Sequence, residues 1–225
     1  MPDAAPPQAF LSWSSGKDSA FALLEARRLG LADIVGVLTT VNEVHDRVAM
    51  HGTRAALLDR QAEELGLECL KIPLPHPCSN EVYEARMAAA VDEIKRRGVR
   101  HVVFGDLYLR DIREYRERQM AAAGMEPIFP LWDRPTRALA DEMLAAGLRA
   151  HLVCVDPRHL DPRFAGRVWD HALLEELPPD VDPCGENGEF HTAVTAGPMF
   201  RSPIPVTPGA VVERGGFVYA DVIPR

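Results

Sequence analysis

Residues 9–24 read AFLSWSSGKDSAFALL. A short apolar run, Ala9-Phe10-Leu11 with Trp13, meets the small polar stretch Ser14-Ser15-Gly16-Lys17-Asp18-Ser19. An apolar helical pattern follows through Ala20, Phe21, Leu23, Leu24 and Leu29. Strand, small-residue turn, helix is the order in which proteins hold phosphate, because the first N–H groups of a helix have no partner inside it and point at the turn. Asp18 complicates that reading, since it puts a negative charge inside the cradle.

Working outward, the same alternation continues. Short, apolar, β-branched runs at Ala9–Trp13, Ile34–Val41, Glu68–Ile72 and Val102–Gly105 predict strands. Helical patterns at Lys17–Leu29, Gly52–Leu65, Glu81–Arg97 and Asp111–Ala123 fall between and after them. Strands separated by helices of ten or more residues imply parallel pairing with crossover helices, hence an α/β chain with a Rossmann-like parallel sheet. Sites in such sheets lie at the carboxyl ends of strands. The turns after Trp13 and after Gly105 are both such ends.

The texture changes after Trp132. Pro127, Pro130 and Pro135 punctuate the passage, a helix is expected from near Thr136, and strands at Leu148–Val155, Phe190–Val194, Ala210–Glu213 and Phe217–Val222. The expected division is residues 1–133 as an α/β domain carrying the turn and 134–225 as a smaller α+β domain.

Of 225 residues, 47% are hydrophobic and 26% charged, ordinary values for a globular protein. No stretch approaches the roughly 18 apolar residues that cross a membrane. The opening MPDAAPPQAF lacks a basic head and an apolar signal core, so it is read as a disordered lead-in and the protein as cytoplasmic. The net charge of −8 argues against broad nucleic-acid binding, which needs a basic surface. Cys69, Cys78, Cys154 and Cys184 form no CxxC pair, which leaves zinc and iron–sulfur sites unsupported and reduced, mostly buried thiols expected.

The turn is not a Walker loop: Leu11 stands where that pattern needs its first Gly, and Asp18 where it needs Ser or Thr. One structural reading makes it a capping box, Ser15 as cap with Asp18 reaching back. The other makes it an anion cradle: Ser14, Ser15 and Gly16 let backbone N–H groups approach an oxyanion, Lys17 adds a cation and the serines add hydroxyls. Asp18 then has a purpose, since Mg²⁺ binds through one or two carboxylates plus substrate phosphates.

A second motif runs Asp182-Pro183-Cys184-Gly185-Glu186-Asn187-Gly188-Glu189-Phe190-His191-Thr192, followed by Gly197-Pro198-Met199-Phe200. Alone, it reads as a solvated loop with Asn187-Gly188 as a hairpin turn.

Together the two motifs resemble a known family. Ser-Ser-Gly-Lys-Asp-Ser looks like the SGGxDS signature of the ATP pyrophosphatases (the PP-loop), with Ser15 where the family often has Gly. That exchange implies a backbone without positive φ at Ser15. GENGEFHT followed by GPMF is similar to the hallmark of diphthine–ammonia ligases and their bacterial relatives, and the wording looks closer to the bacterial branch. Met50-His51-Gly52, Gly105-Asp106 and Pro130-Leu131-Trp132 also resemble the family, which spreads the likeness over about residues 9 to 200.

The resemblance implies an adenine nucleotide alpha-hydrolase fold and an ATP pyrophosphatase reaction. AMP passes from ATP to a carboxylate, pyrophosphate leaves, and ammonia or an amine then forms the amide. It implies ATP and Mg²⁺ as cofactors. Ser14, Ser15, Gly16, Lys17, Asp18 and Ser19 hold the phosphates, with His51, Gly105 and Asp106 beside the nucleotide and Asp18 on the metal. Lys17, Asp18, Glu186, Asn187 and Glu189 are the expected catalytic residues, the last three positioning acceptor and amine. The partners are ATP, a carboxylate acceptor and an ammonia or amine donor, with no membrane or nucleic acid. If the chain assembles, a homodimer is expected.

Simpler roles compete for several of these residues. Asp106 and His51 could each cap a helix, and His191, which could shuttle a proton, could equally be structural. The charged stretch Arg110–Arg118 reads as a solvated, salt-bridged helix face, with an arginine gripping an anionic acceptor as its alternative. For the whole chain, tRNA thiolation or lysidine formation and a non-catalytic nucleotide-binding module are the other candidates. The absence of paired cysteines and of a basic domain speaks against the first, the acids of the distal loop against the second.

Overall fold

A computed structural model describes residues 5–225, so Met1–Ala4 of the expected lead-in lie outside the described residues. The first half forms β1 (Gln8–Ser12), α1 (Lys17–Arg28), β2 (Asp33–Asn42), β3 (Arg47–Val48), α2 (Ala55–Leu65), β4 (Glu68–Leu74), α3 (Asn80–Arg96), β5 (His101–Val103), α4 (Arg110–Ala122) and β6 (Glu126–Ile128). The second half adds α5 (Thr136–Ala145), β7 (Arg149–Val155), β8 (Val168–Trp169), α6 (His171–Glu176), β9 (Phe190–Ala196), β10 (Val206–Arg214) and β11 (Phe217–Pro224).

The first sheet has parallel strands in the order β4-β2-β1-β5-β6, with the short β3 antiparallel to the end of β2. Connections leave β1 in one direction and β5 in the other, so a crevice opens between the carboxyl ends of these two strands, where α/β sheets bind ligands. The second sheet is antiparallel, β10-β11-β7-β8 with β9 on the other side of β7. The fold is thus α/β with a Rossmann-like sheet and a C-terminal antiparallel sheet.

Side chains of a strand alternate between its faces. Ala9, Leu11 and Trp13 face α1 and α2, and their core runs without a break into Leu152, Val153, Ala193 and Val194 of the second sheet. Phe10 faces the other way, into a smaller cluster with Leu38, Val91, Ile94, Val102 and Met120 under α3 and α4.

The strands missed in the sequence are short ones. Pro127 reads as punctuation yet sits inside β6, and it is tolerated there because β6 is an edge strand that pairs only with β5. Among the described residues no helix is long and apolar enough to cross a membrane.

Candidate active site

The turn between β1 and α1 does not form a capping box. Helix α1 begins at Lys17 with Gly16 as its cap residue, and no side chain caps it. The bonding instead knits the serines together. Gly16 N–H donates to Ser14 Oγ at 3.3 Å, Ser19 Oγ donates to Gly16 O at 2.9 Å, and the Ser14 and Ser19 hydroxyls lie 3.2 Å apart.

Ser15 also overturns its expectation, since its φ is +70°, the left-handed conformation that a glycine would favour. A non-glycine residue there costs about 1–2 kcal/mol. Tertiary bonds hold it: Ser15 O accepts from Val194 N–H at 2.9 Å and from Gln61 Nε2 at 3.2 Å. Ser15 Oγ is buried without a partner, an orphaned donor of the kind a phosphate oxygen satisfies.

Lys17, the cation of the cradle, is only 1% exposed. Its Nζ lies 2.9 Å from each Asp18 carboxylate oxygen, donates to the Cys184 carbonyl, and sits over the rings of Trp169 and Phe190 at 5.4 and 5.6 Å. Burial alone would lower the pKa of this ammonium. The neighbouring Asp18 carboxylate more than offsets that and holds it charged, above the ordinary lysine value. Lys17 is therefore a strut between the turn and the distal loop. Its own N–H donates to Thr192 Oγ1 at 3.1 Å, which adds a second tie.

The distal loop is folded in rather than solvated. Asn187-Gly188 joins no strand pair; Gly188 N–H closes a local turn onto Gly185 O at 3.1 Å. Glu186 Oε1 accepts from Leu107 N–H at 2.8 Å, which binds this loop to the loop after β5. Tyr108 OH donates to Asn187 Oδ1 at 3.0 Å, and Asn187 Nδ2 donates to Glu189 Oε1 at 3.0 Å. Glu189 is 3% exposed, and its Oε2 has no partner. Burial pushes the Glu186 carboxyl up to about 7, against the pull of the Leu107 N–H. Burial likewise pushes up the Cys184 thiol, leaving it inert.

The remaining predicted residues take the following places. Gly105 backs onto the first turn of α1: a Cβ there would lie 2.9 Å from Asp18 C and Ser19 N, so only glycine allows β5 and α1 to come this close. Asp106 is no helix cap, since Leu109 holds that position in α4. Its carboxylate is met by Arg116 through two bonds of 2.6 and 3.1 Å. The arginines read as a solvated face are partly stacked: Arg116 covers Phe104, and Arg113 covers Phe129 and Trp132. His51 does not cap α2, whose cap residue is Arg54; it lies against His191, ring centroids 4.4 Å apart. Of the thiols expected to be mostly buried, Cys154 and Cys184 are, while Cys69 and Cys78 are half-buried; all four are free.

A cavity of about 610 Å³ opens beside the turn. It begins at Ser12–Ser14, Thr39 and His51 and runs between α3 and α4 past Met87, Phe104 and Tyr115. Among the described residues no three His, Cys, Asp or Glu side chains gather as a metal site. The Asp18 carboxylate, paired to Lys17 and 27% exposed, is the acid of the turn that could hold a Mg²⁺ ion together with phosphates, a donor set that suits this ion.

Sequence reasoning missed Gln61, Tyr108 and Trp169. Gln61 is fully buried and binds Trp13, Ser15 and Val194 at once. Only the place of Tyr108, just past Gly105-Asp106, hinted at a role.

Fold and turn together define a PP-loop protein of the Rossmann-like α/β kind. Residues 8–127 match the diphthamide synthase N-terminal domain and residues 135–217 the diphthamide synthase C-terminal domain. The chain belongs to the diphthamide synthase family. It is 31% identical over 103 residues to diphthine–ammonia ligase of Homo sapiens, covering 44% of this chain and 39% of that protein. Its identity to the Danio rerio enzyme of the same name is 30% over 113 residues, 47% and 44% of the two chains. With that of Schizosaccharomyces pombe it is 31% over 95 residues, 40% and 16%. The chain thus spans less than half the length of these curated relatives.

Proposed function

We propose that this protein is an ATP-dependent ligase that adenylates a carboxylate and passes its acyl group to ammonia or an amine. The observation that carries the reading is the Lys17 strut, which joins the β1 turn to the acid-rich distal loop through Asp18 and the Cys184 carbonyl. Residues 167 positions apart, Lys17 and Cys184, thereby tie the two motifs into one structure.

In this reading a carboxylate oxygen of the acceptor attacks the α-phosphorus, and the bond to the β-phosphate oxygen breaks. The amine then attacks the acyl carbon and AMP leaves with the bonding electrons. Ser14, Ser15, Gly16 and Ser19 face the phosphates, and Lys17 fixes Asp18, which would hold Mg²⁺; the ion supplies charge neutralisation between phosphates. Glu186, at about 7, is poised to take a proton from the attacking amine at neutral pH. Asn187, oriented by Tyr108, and Glu189 position acceptor and amine. Residues 1–133 supply the nucleotide side and 134–225 the loop. The acceptor is taken to be a small carboxylate other than diphthine, following the likeness to the bacterial branch.

The test is nucleotide chromatography with a pyrophosphate readout, run across candidate acids with ammonia. AMP and pyrophosphate should appear in equal amounts. Glu186→Gln should lower turnover by about 100-fold or more while ATP affinity stays nearly intact. ADP as the main product would overturn the assignment.

A further inference from the structure

The cavity extends well beyond the turn, into the gap between α3 and α4. On α3 its wall runs from Tyr83 through Met87 and Val91 to Lys95. Over that stretch the helix rises about 18 Å. Helix α3 crosses over from β4 to β5, so it runs against the strands, with Tyr83 toward their carboxyl ends and Lys95 toward their amino ends. Arg97, just beyond Lys95, pairs with Glu68 at the start of β4 at 2.6 Å, as that direction requires. The facing wall on α4 runs from Tyr115 and Arg116 down to Ala123. Lys95 Nζ donates to Ala123 O at 2.7 Å and closes the far end. The other end opens at Ser12–Ser14, beside the β1 turn.

Between these walls the lining is apolar, with Leu38, Val102 and Phe104 from the sheet and Met120 from α4. The charges that border it are paired or exposed. Arg116 is bonded to Asp106 and Lys95 to the Ala123 carbonyl, while Glu84 and Asp92 are exposed. A charged group seated halfway along would lose its hydration and find no partner, whereas hydrocarbon would gain by leaving water. Met87 and Met120 are unbranched and adapt to the shape of what they touch. The volume of about 610 Å³ lies within the range of small-molecule sites.

We propose that the slot between α3 and α4 seats the tail of the carboxylate acceptor, and that this acceptor is a monocarboxylic acid with an extended hydrocarbon tail. The proposal rests on the reading of the protein as an AMP-forming ligase. The carboxylate keeps to the open end, because burying it among Leu38, Val91 and Met120 would strip its hydration without a partner. The tail therefore enters first, and the reactive oxygens stay beside the turn. Length and shape of the tail then set specificity, with the Lys95–Ala123 bond as the stop.

The probes are straight-chain acids from butyrate to decanoate, titrated calorimetrically into the full chain with a non-hydrolysable ATP analogue present. Affinity should rise about fourfold per added methylene until the tail reaches Lys95, and then stop rising. Hexanoate carrying a terminal amine should bind about tenfold more weakly than hexanoate itself, since it takes a charge into the slot. Ala88→Phe and Ala122→Phe each place a ring in the slot from an exposed helix position, which leaves the core intact. Both should flatten the chain-length series while the melting temperature holds. A flat series in the wild type, or an amine-bearing tail that binds as well as the plain one, would overturn the slot and leave the ligase reading standing. Variants that lose affinity for the ATP analogue but not for the acids would give the slot to the adenine ring and overturn the proposal equally. A rising series with ADP as the nucleotide product would remove the acceptor role along with the ligase reading.

Discussion

The two faces of the parallel sheet are built differently. On one, α1 and α2 are covered in turn by the second sheet, and the core passes unbroken from Leu11 and Leu23 to Val153 and Val194. On the other, α3 and α4 lie over a smaller cluster and leave a cavity of about 610 Å³. Helix α4 buries only Met120, while Ile112 and Tyr115 stay exposed. The closed face fixes the turn and the distal loop in place; the open face leaves room for a ligand next to them. The strained Ser15 is held from the closed side, by Gln61 and Val194, and the cavity lies on the other.

If the closed face is what holds the turn, breaking it should be costly. Gln61→Leu strands the buried Trp13 indole N–H, now 3.0 Å from Gln61 Oε1, and removes one of the two bonds that hold Ser15 O. Urea denaturation should show a loss of about 3 kcal/mol, and ATP affinity should fall with it. Gly105→Ala tests the seam between β5 and α1. Its Cβ meets backbone atoms that cannot yield without moving the helix, so a loss of about 2 kcal/mol is expected by the same assay.

The distal loop sharpens the comparison through pH. Glu186 has a folded pKa of about 7, above its ordinary value of 4.5. Its protonated form is the one the fold prefers, so this contribution is full below about pH 4.5 and declines as pH rises toward 7 and beyond. Stability should fall across that window with a slope of about 1 kcal/mol per pH unit or less, and Glu186→Gln should flatten it, as thermal unfolding at stepped pH would reveal. The smallest effect is expected on the open face. Met87→Ala removes a half-buried side chain from the cavity wall and should cost less than about 1 kcal/mol, because part of the site is already space. A loss as large as that for Gln61→Leu would erase the distinction between the faces.

The alternation of short apolar runs with long helical patterns was enough to establish the α/β class and most elements, because period and length are local properties. Helix α5 starts at Thr136 as expected, and α2 and α3 lie within a few residues of their expected limits. The edge strand holding Pro127 was hidden, since whether a missing N–H matters depends on having a neighbour on that side. The two motifs stood out in the sequence as candidates, SSGKDS for a phosphate cradle and GENGEFHT for a loop of acids and an amide. Their bonding was not. That Ser15 turns left-handed, that Lys17 faces inward to Asp18 and Cys184, and that His51 finds His191 all depend on the second sheet packing onto α1 and α2. The contacts of Ser15 with Val194, Lys17 with Cys184 and His51 with His191 join residues more than a hundred positions apart, and no local pattern encodes which buried donor will meet which acceptor once the two sheets close.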